Sequence, residues 1–317
     1  MRSAEDGPEG HERRLPLRHA LALGLLQGPT ELLPVSSSAH TELLPWLAGW
    51  PYARLKGERR KAFEVALHAG AGLALALHMR RELLEDAARI DRHRAGVIAL
   101  SLAPAALAGY ALERPIEQRL GGPRSIALGL VAGALAMTAS DLPTSPRYTR
   151  SNHGYTDQRD GHTHQPDPRD PPARAGRAVP DATASDGLAL GLAQALALVP
   201  GVSRNGATLT AARARGFSRN AAQTLSWHTG LPILLGASAL KAVRLRRAGL
   251  ERQELAALAV GGASALASTV ASARLLDRRL REGQALWPYS LYRCVLAGAV
   301  LARVRGDATR TPSKSKK

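Results

Sequence analysis

The stretch 23–40, LGLLQGPTELLPVSSSAH, places a carboxylate (Glu31), three successive hydroxyls (Ser36, Ser37, Ser38) and an imidazole (His40) in a segment otherwise apolar enough for a bilayer. A carboxylate and an imidazole can move protons, and a hydroxyl beside them can attack an electrophile. Ser37 and His40 are three residues apart, so one helical turn predicts that they share a face and act on one proton. A second stretch, 190–208, repeats the frame. LGLLQ at 23–27 reads LGLAQ at 190–194, and Ser36 and Ser203 each fall nine residues after the glutamine. Arg204 stands in this copy where Ser37 stands in the first, so one half-site supplies acid, base and hydroxyl and the other a cation.

The second turn, GVSRNGAT, has the glycine spacing of a nucleotide-binding P-loop, but Ala207 occupies the lysine position and excludes that reading. The underlying physics still applies. Glycines let backbone N–H groups approach an oxyanion, a helix N-terminus favours negative charge, and arginine grips phosphate with a planar fork. The expected ligand is a phosphate group, with Gln27, Ser36, Ser203, Asn205 and Thr208 as candidate substrate-binding residues around Arg204.

The elements that position these groups belong to a membrane protein. Charge-free runs span 95–112, 125–140, 187–203, 220–240 and 255–273, while 63–79 carries only Glu64 and 285–302 only Arg293. Several approach the roughly 20 residues that cross about 30 Å of hydrocarbon. A charge at the bilayer centre costs about 2.5 to 3.5 kcal/mol, so Glu31, Glu64 and Arg204 are functional candidates. The net charge of +17 sits in short connections such as 80–94 and 241–252, where a membrane protein meets anionic headgroups, and does not indicate nucleic acid. The single cysteine, Cys294, excludes an internal disulfide framework.

The chain divides into a polar tail (1–14, with no cleavable signal), a first membrane half (15–140), a polar linker (141–186), a second membrane half (187–302) and a basic tail (303–317). The linker has no helical or alternating period and reads as a mobile extramembrane loop. Its His153, His162 and His164 lack the cysteines or helical pairing of a structural zinc site. His68-Ala69-Gly70 and His228-Thr229-Gly230 extend the internal repeat. The expected fold is all-α and polytopic, an inverted-topology repeat in which the proline breaks at Pro29, Pro34 and Pro200 make two re-entrant helix–loop–helix elements around a polar cavity.

These residues resemble the undecaprenyl-diphosphate phosphatase family of bacterial membrane enzymes associated with bacitracin resistance. The family's Glu/Gln-x-x-x-Glu followed by PVSS-x-x-His is matched by Gln27, Glu31, Pro34-Val35-Ser36-Ser37 and His40. Its PG-x-SR-x-x-x-T is matched by Pro200-Gly201, Ser203-Arg204 and Thr208, and a phenylalanine–glutamate pair by Phe63-Glu64. The resemblance implies hydrolysis of undecaprenyl diphosphate to the monophosphate and phosphate in the bacterial plasma (inner) membrane, recycling a cell-wall lipid carrier with a divalent cation, Mg²⁺ or Ca²⁺. It further implies that Glu31 handles metal or proton, Ser37 is a candidate nucleophile, His40 a general base or acid, and Arg204 the phosphate clamp. Gln27 stands where glutamate is commonest; its neutral oxygen weakens a two-carboxylate metal site and leaves more of the cation to the substrate phosphates.

Two mechanisms stay open on sequence grounds: attack by Ser37, or by water activated by His40 or Glu31. The phosphatidic-acid-phosphatase superfamily has its motifs in a different order. A polyprenyl-phosphate flippase or ion-coupled transporter on the same inverted-repeat scaffold is the competing function, using Glu31 and Arg204 for binding alone.

Overall fold

The computed structural model describes residues 15–55, 57–142, 155–156, 163–164, 176–245, 251–281 and 283–310. Eleven helices carry the described architecture. The first half contains α1 (Leu17–Leu32), α2 (Ser37–Ala48), α3 (Gly57–His78), α4 (Arg80–Ala88), α5 (Arg92–Leu120) and α6 (Pro123–Asp141). The second contains α7 (Ala184–Leu196), α8 (Arg204–Ala214), α9 (Arg219–Leu245), α10 (Arg252–Arg281) and α11 (Trp287–Arg310). A 3₁₀ turn at Pro51–Arg54 joins α2 to α3. α5, α6 and α10 are each long and apolar enough to cross a membrane, and α3 with α4 makes a fourth candidate, bent by 67°. Apart from one two-residue strand pair the described elements are helical, and their apolar helices are those of a membrane protein.

The boundaries follow local chemistry. Leu33, ahead of Pro34, is extended, as a residue before proline prefers, and ends α1. α5 starts where the Asp91 side chain accepts from the Arg94 N–H at 2.7 Å. Contrary to expectation, Pro29 does not interrupt α1 but lies inside it. A proline there frees the carbonyl four residues back, and Ser268 Oγ on α10 donates to that Leu25 oxygen at 2.5 Å.

Each half's first helix lies on the other half: α1 packs against α10, and α7 against α5. Glycine permits both approaches. A Cβ on Gly28 would fall 2.5 Å from Ser268, and one on Gly191 would fall 2.4 Å from the Leu100 carbonyl. α3 lies against α10 and α9, and α6 against α11 and α8; the two motif segments meet where Asn205 Nδ2 donates to the Leu32 carbonyl at 2.7 Å.

Two boundaries read from sequence move. The predicted basic tail begins inside α11, which runs on to Arg310, and Arg303 is anchored by donating to the Leu47 carbonyl at 3.1 Å. The predicted linker is attached at both ends. Asp141 accepts from Arg213, Arg219 and the Leu286 N–H, while Arg177 exchanges backbone hydrogen bonds with Gly216 and Ser218. Within it, Tyr155–Thr156 pairs antiparallel with Thr163–His164. His153 and His162 lie outside the described residues, as does the tail 1–14.

Candidate active site

Ser36 and Ser203 are the two non-glycine residues with positive φ among those described, at 75° and 65°. Serine carries a real steric cost in that region and stays there only where its surroundings dictate it. Both sharp turns therefore sit at the same place in the repeated frame, and each aims the next residue, Ser37 or Arg204, from the first position of a helix.

Those two side chains converge on Glu31, which is buried near the C-terminal end of α1. Ser37 Oγ donates to Glu31 Oε2 at 2.7 Å, and Gln27 Nε2, one turn earlier on α1, donates to the same oxygen at 3.1 Å. Arg204 donates from Nη2 to Glu31 Oε1. The cation and the carboxylate thus neutralise one another across the two half-sites. Removing Arg204 would leave Glu31 as a buried uncompensated charge, which typically costs about 3 to 5 kcal/mol, whereas Arg204 is only half-buried and would cost less if left alone.

His68 on α3 completes the cluster. Its Nδ1 lies 2.8 Å from the Glu64 carbonyl, which can only accept, so Nδ1 donates and Nε2 is turned toward Glu31 Oε2 at 3.9 Å. Glu64 itself lies 3.7 Å from Lys61. Lys61, Glu64 and His68 make a polar stripe along α3 that ends at Glu31. The sequence carried a signal for His68 in its repeated His-x-Gly frame, which was legible as a repeat and not as part of the site.

The structure does not bring Ser37 and His40 together. His40 is buried with Nδ1 2.7 Å from the Ser36 carbonyl and Nε2 2.6 Å from Tyr292 Oη on α11. The helical-spacing argument fails because Ser37 is the first residue of α2 and reaches back to α1, whereas His40 folds back onto the turn. Asn205 and Thr208 likewise point into a buried network. Asn205 Nδ2 donates to the Leu32 carbonyl at 2.7 Å and its Oδ1 accepts from Ser226 at 2.7 Å, and Ser226 in turn lies 2.5 Å from Thr208 Oγ1. Ser203 Oγ caps α8 by accepting from the Gly206 N–H at 3.1 Å. Ser36 Oγ lies 3.4 Å from Ser38 Oγ. These residues set the two turns rather than reach the Glu31 cluster.

Arg293 was legible in the sequence only as a lone charge in the last apolar run. It is fully buried, and its guanidinium spans both turns, donating to Gly201 and Val202 carbonyls at 2.9 and 3.1 Å and to Pro34 and Gly129 carbonyls at 3.4 Å.

As for a cation, no group of three or more His, Cys, Asp or Glu side chains among the described residues forms a metal cage. Glu31 and one orphan oxygen remain: Gln27 Oε1 is buried and unpartnered. Two oxygens fit a divalent cation only if further ligands arrive with the substrate, as hard cations take six or more.

What the arrangement can do is bind and attack a phosphate. The N-termini of α2 and α8 both open at the cluster, and α2 has no side-chain cap, leaving its first N–H groups for an oxyanion. The comparisons with known proteins agree with this chemistry. An undecaprenyl-diphosphatase of Geobacter sulfurreducens is 39% identical over 298 residues, spanning 90% of this chain and 97% of that protein. One from Geobacter metallireducens is 37% identical over 298 residues, spanning 89% and 95%, and one from Thermomicrobium roseum 35% identical over 264 residues, spanning 78% and 83%. The model of the family described as bacitracin resistance protein BacA matches residues 20–299, and the chain belongs to that family.

Proposed function

We propose that this chain hydrolyses undecaprenyl diphosphate to undecaprenyl phosphate and phosphate, recycling the lipid carrier of cell-wall synthesis in the bacterial plasma membrane. Family membership and relatives named undecaprenyl-diphosphatase over nearly the whole chain support the reaction. The observation that carries the mechanism is the 2.7 Å hydrogen bond from Ser37 Oγ to Glu31 Oε2. It seats a hydroxyl on the one carboxylate that faces the phosphate clamp.

Ser37 Oγ bonds to the terminal phosphorus in line with the bridging oxygen, whose bond to phosphorus breaks; the polyprenyl phosphate leaves with the electron pair. Glu31 takes the serine proton. Water then adds to the phosphoserine phosphorus, Glu31 returns its proton to the departing Oγ, and phosphate leaves with the protons of the water. Arg204 and the open N-terminus of α2 hold the non-bridging oxygens throughout, where the transferred group carries its charge. A divalent cation, Mg²⁺ or Ca²⁺, would be held by Glu31 and Gln27 Oε1 together with the diphosphate, and would supply further charge neutralisation.

The scaffold is an inverted-topology repeat with two re-entrant elements, α1–α2 and α7–α8. Support lies in the matched positive-φ serines and in the exchanged packing of α1 on α10 and α7 on α5. Purified protein in detergent should release phosphate from undecaprenyl diphosphate, and Ser37→Ala and Glu31→Gln should not. A well-folded wild-type protein that releases none would overturn the assignment.

A further inference from the structure

We infer that Tyr292 is a positioning residue for the nucleophile turn, acting through His40, and that His40 itself holds the turn instead of taking the serine proton. The inference rests on the phosphatase reading above.

The left-handed Ser36 has to be held, because a serine at φ 75° gains nothing locally from that conformation. What holds it is directional. The Ser36 carbonyl can only accept, so the contact at 2.7 Å requires the proton on His40 Nδ1. In a neutral imidazole the other nitrogen is then an acceptor, and the group beside it is the one donor needed: Tyr292 Oη at 2.6 Å, with its ring stacked on the imidazole at 4°. Both ring nitrogens are thereby committed, and neither reaches Ser37. Ser37 already has an acceptor in Glu31.

The neighbouring residue does the same work by another route. Arg293 follows Tyr292 in α11 and binds carbonyls of both turns, at Pro34 and at Gly201 and Val202. Two consecutive residues of one helix thus fix the turn that presents Ser37 and the turn that presents Arg204. A nucleophile displaced by an ångström loses about a hundredfold in rate, so a hydroxyl one shell away can matter to turnover while touching no substrate atom.

The test uses the full-length protein in detergent, measuring phosphate release from undecaprenyl diphosphate across pH with thermal unfolding as the control. Tyr292→Phe is isosteric and should lower kcat about tenfold with KM nearly unchanged and with the acid limb of the pH profile unmoved. His40→Asn places an amide N–H where Nδ1 was and cannot serve as a base. It should keep at least tenfold more activity than His40→Ala. If His40→Asn is as inactive as His40→Ala, or if Tyr292→Phe shifts the acid limb, His40 is the proton acceptor and the inference is wrong. Failure of the wild-type protein to release phosphate would strike the function instead, so the two failures are distinct.

Discussion

Gly230 offers a way to unseat the phosphate clamp without deleting it. It lies on α9 beside the motif arginine, and a Cβ there would fall 1.8 Å from Arg204 Nη1 and 3.1 Å from its Cζ. Bringing the closer contact out to an ordinary 3.4 Å requires the guanidinium to move by about 1.6 Å. The displaced atoms are the far end of a flexible side chain, so the fold can absorb the methyl, and glycine to alanine within a helix contributes about 1 kcal/mol in the stabilising direction. The loss falls on geometry. A displacement of that size takes Arg204 off its hydrogen bond to Glu31 and off the phosphate position, which predicts a fall in kcat/KM of roughly a hundredfold. Phosphate release from undecaprenyl diphosphate gives the rate, and thermal unfolding in detergent gives the stability. Gly230→Ala should be slow, folded, and less stable than wild type, because the roughly 1 kcal/mol helix gain offsets only part of the about 3 to 5 kcal/mol that an uncompensated Glu31 costs. A turnover within about threefold of wild type would show that the seat of Arg204 on Glu31 is not needed for catalysis.

Arg204→Lys should also lose most activity, because a point charge cannot serve a carboxylate and a phosphate through one planar fork; near-native rates would remove the clamp role. Chelation should stop turnover and Mg²⁺ or Ca²⁺ restore it, and Gln27→Glu should lower the cation concentration for half-maximal rate, whereas full activity after thorough chelation would refute a metal role. Replacing residues 143–175 with a Gly/Ser segment should leave turnover intact, provided Asp141 and the stretch from Gly176 are kept; loss of activity in a well-folded variant would assign that segment a part in the site. Asp186, at the start of α7, is held below the usual carboxylate range: burial alone would raise it, and hydrogen bonds from Arg177, Thr183 and Arg215 outweigh that. Its contribution to stability should therefore be complete above about pH 4 and shrink as pH falls further. The melting difference between wild type and Asp186→Asn, followed from pH 7 to pH 3, checks this, and a difference that grows on acidification would contradict it.

Much of the site was legible because its logic is local. Gln27 and Glu31 are a helical i, i+4 pair, and the matched frames told that Ser37 and Arg204 occupy equivalent places. The repeat did not say that both would meet on one carboxylate, which depends on the packing of two turns 167 residues apart by the serine numbering. The pairing of Ser37 with His40 was misread for a definable reason. Periodicity assumes a helix already running, and Ser36 at positive φ starts a new one, so the three-residue spacing spans a helix start and not a helix face. Tyr292 and Arg293 were out of reach because their partners are carbonyl oxygens and a ring nitrogen more than 250 residues upstream in two of the contacts. A backbone acceptor leaves no mark in residue identity. Pro29 failed as a break for a similar reason, since the donor that satisfies the freed carbonyl comes from α10.

The seating of α1 on α10 also governs the order in which the protein can be made. Ser268 is 243 residues downstream of the Leu25 carbonyl it satisfies. At a synthesis rate of about 5 to 20 residues per second, that oxygen waits roughly 12 to 50 seconds for its partner. During this interval the helix that carries Glu31 is in or beside the membrane with the Leu25 carbonyl unsatisfied and no Arg204 opposite its carboxylate. Water, lipid headgroups or the insertion machinery must shelter these polar groups until the second half arrives. Assembly therefore closes from the C-terminal end, and truncations that stop before α10 should yield an N-terminal half without a settled native state, however complete its own set of helices.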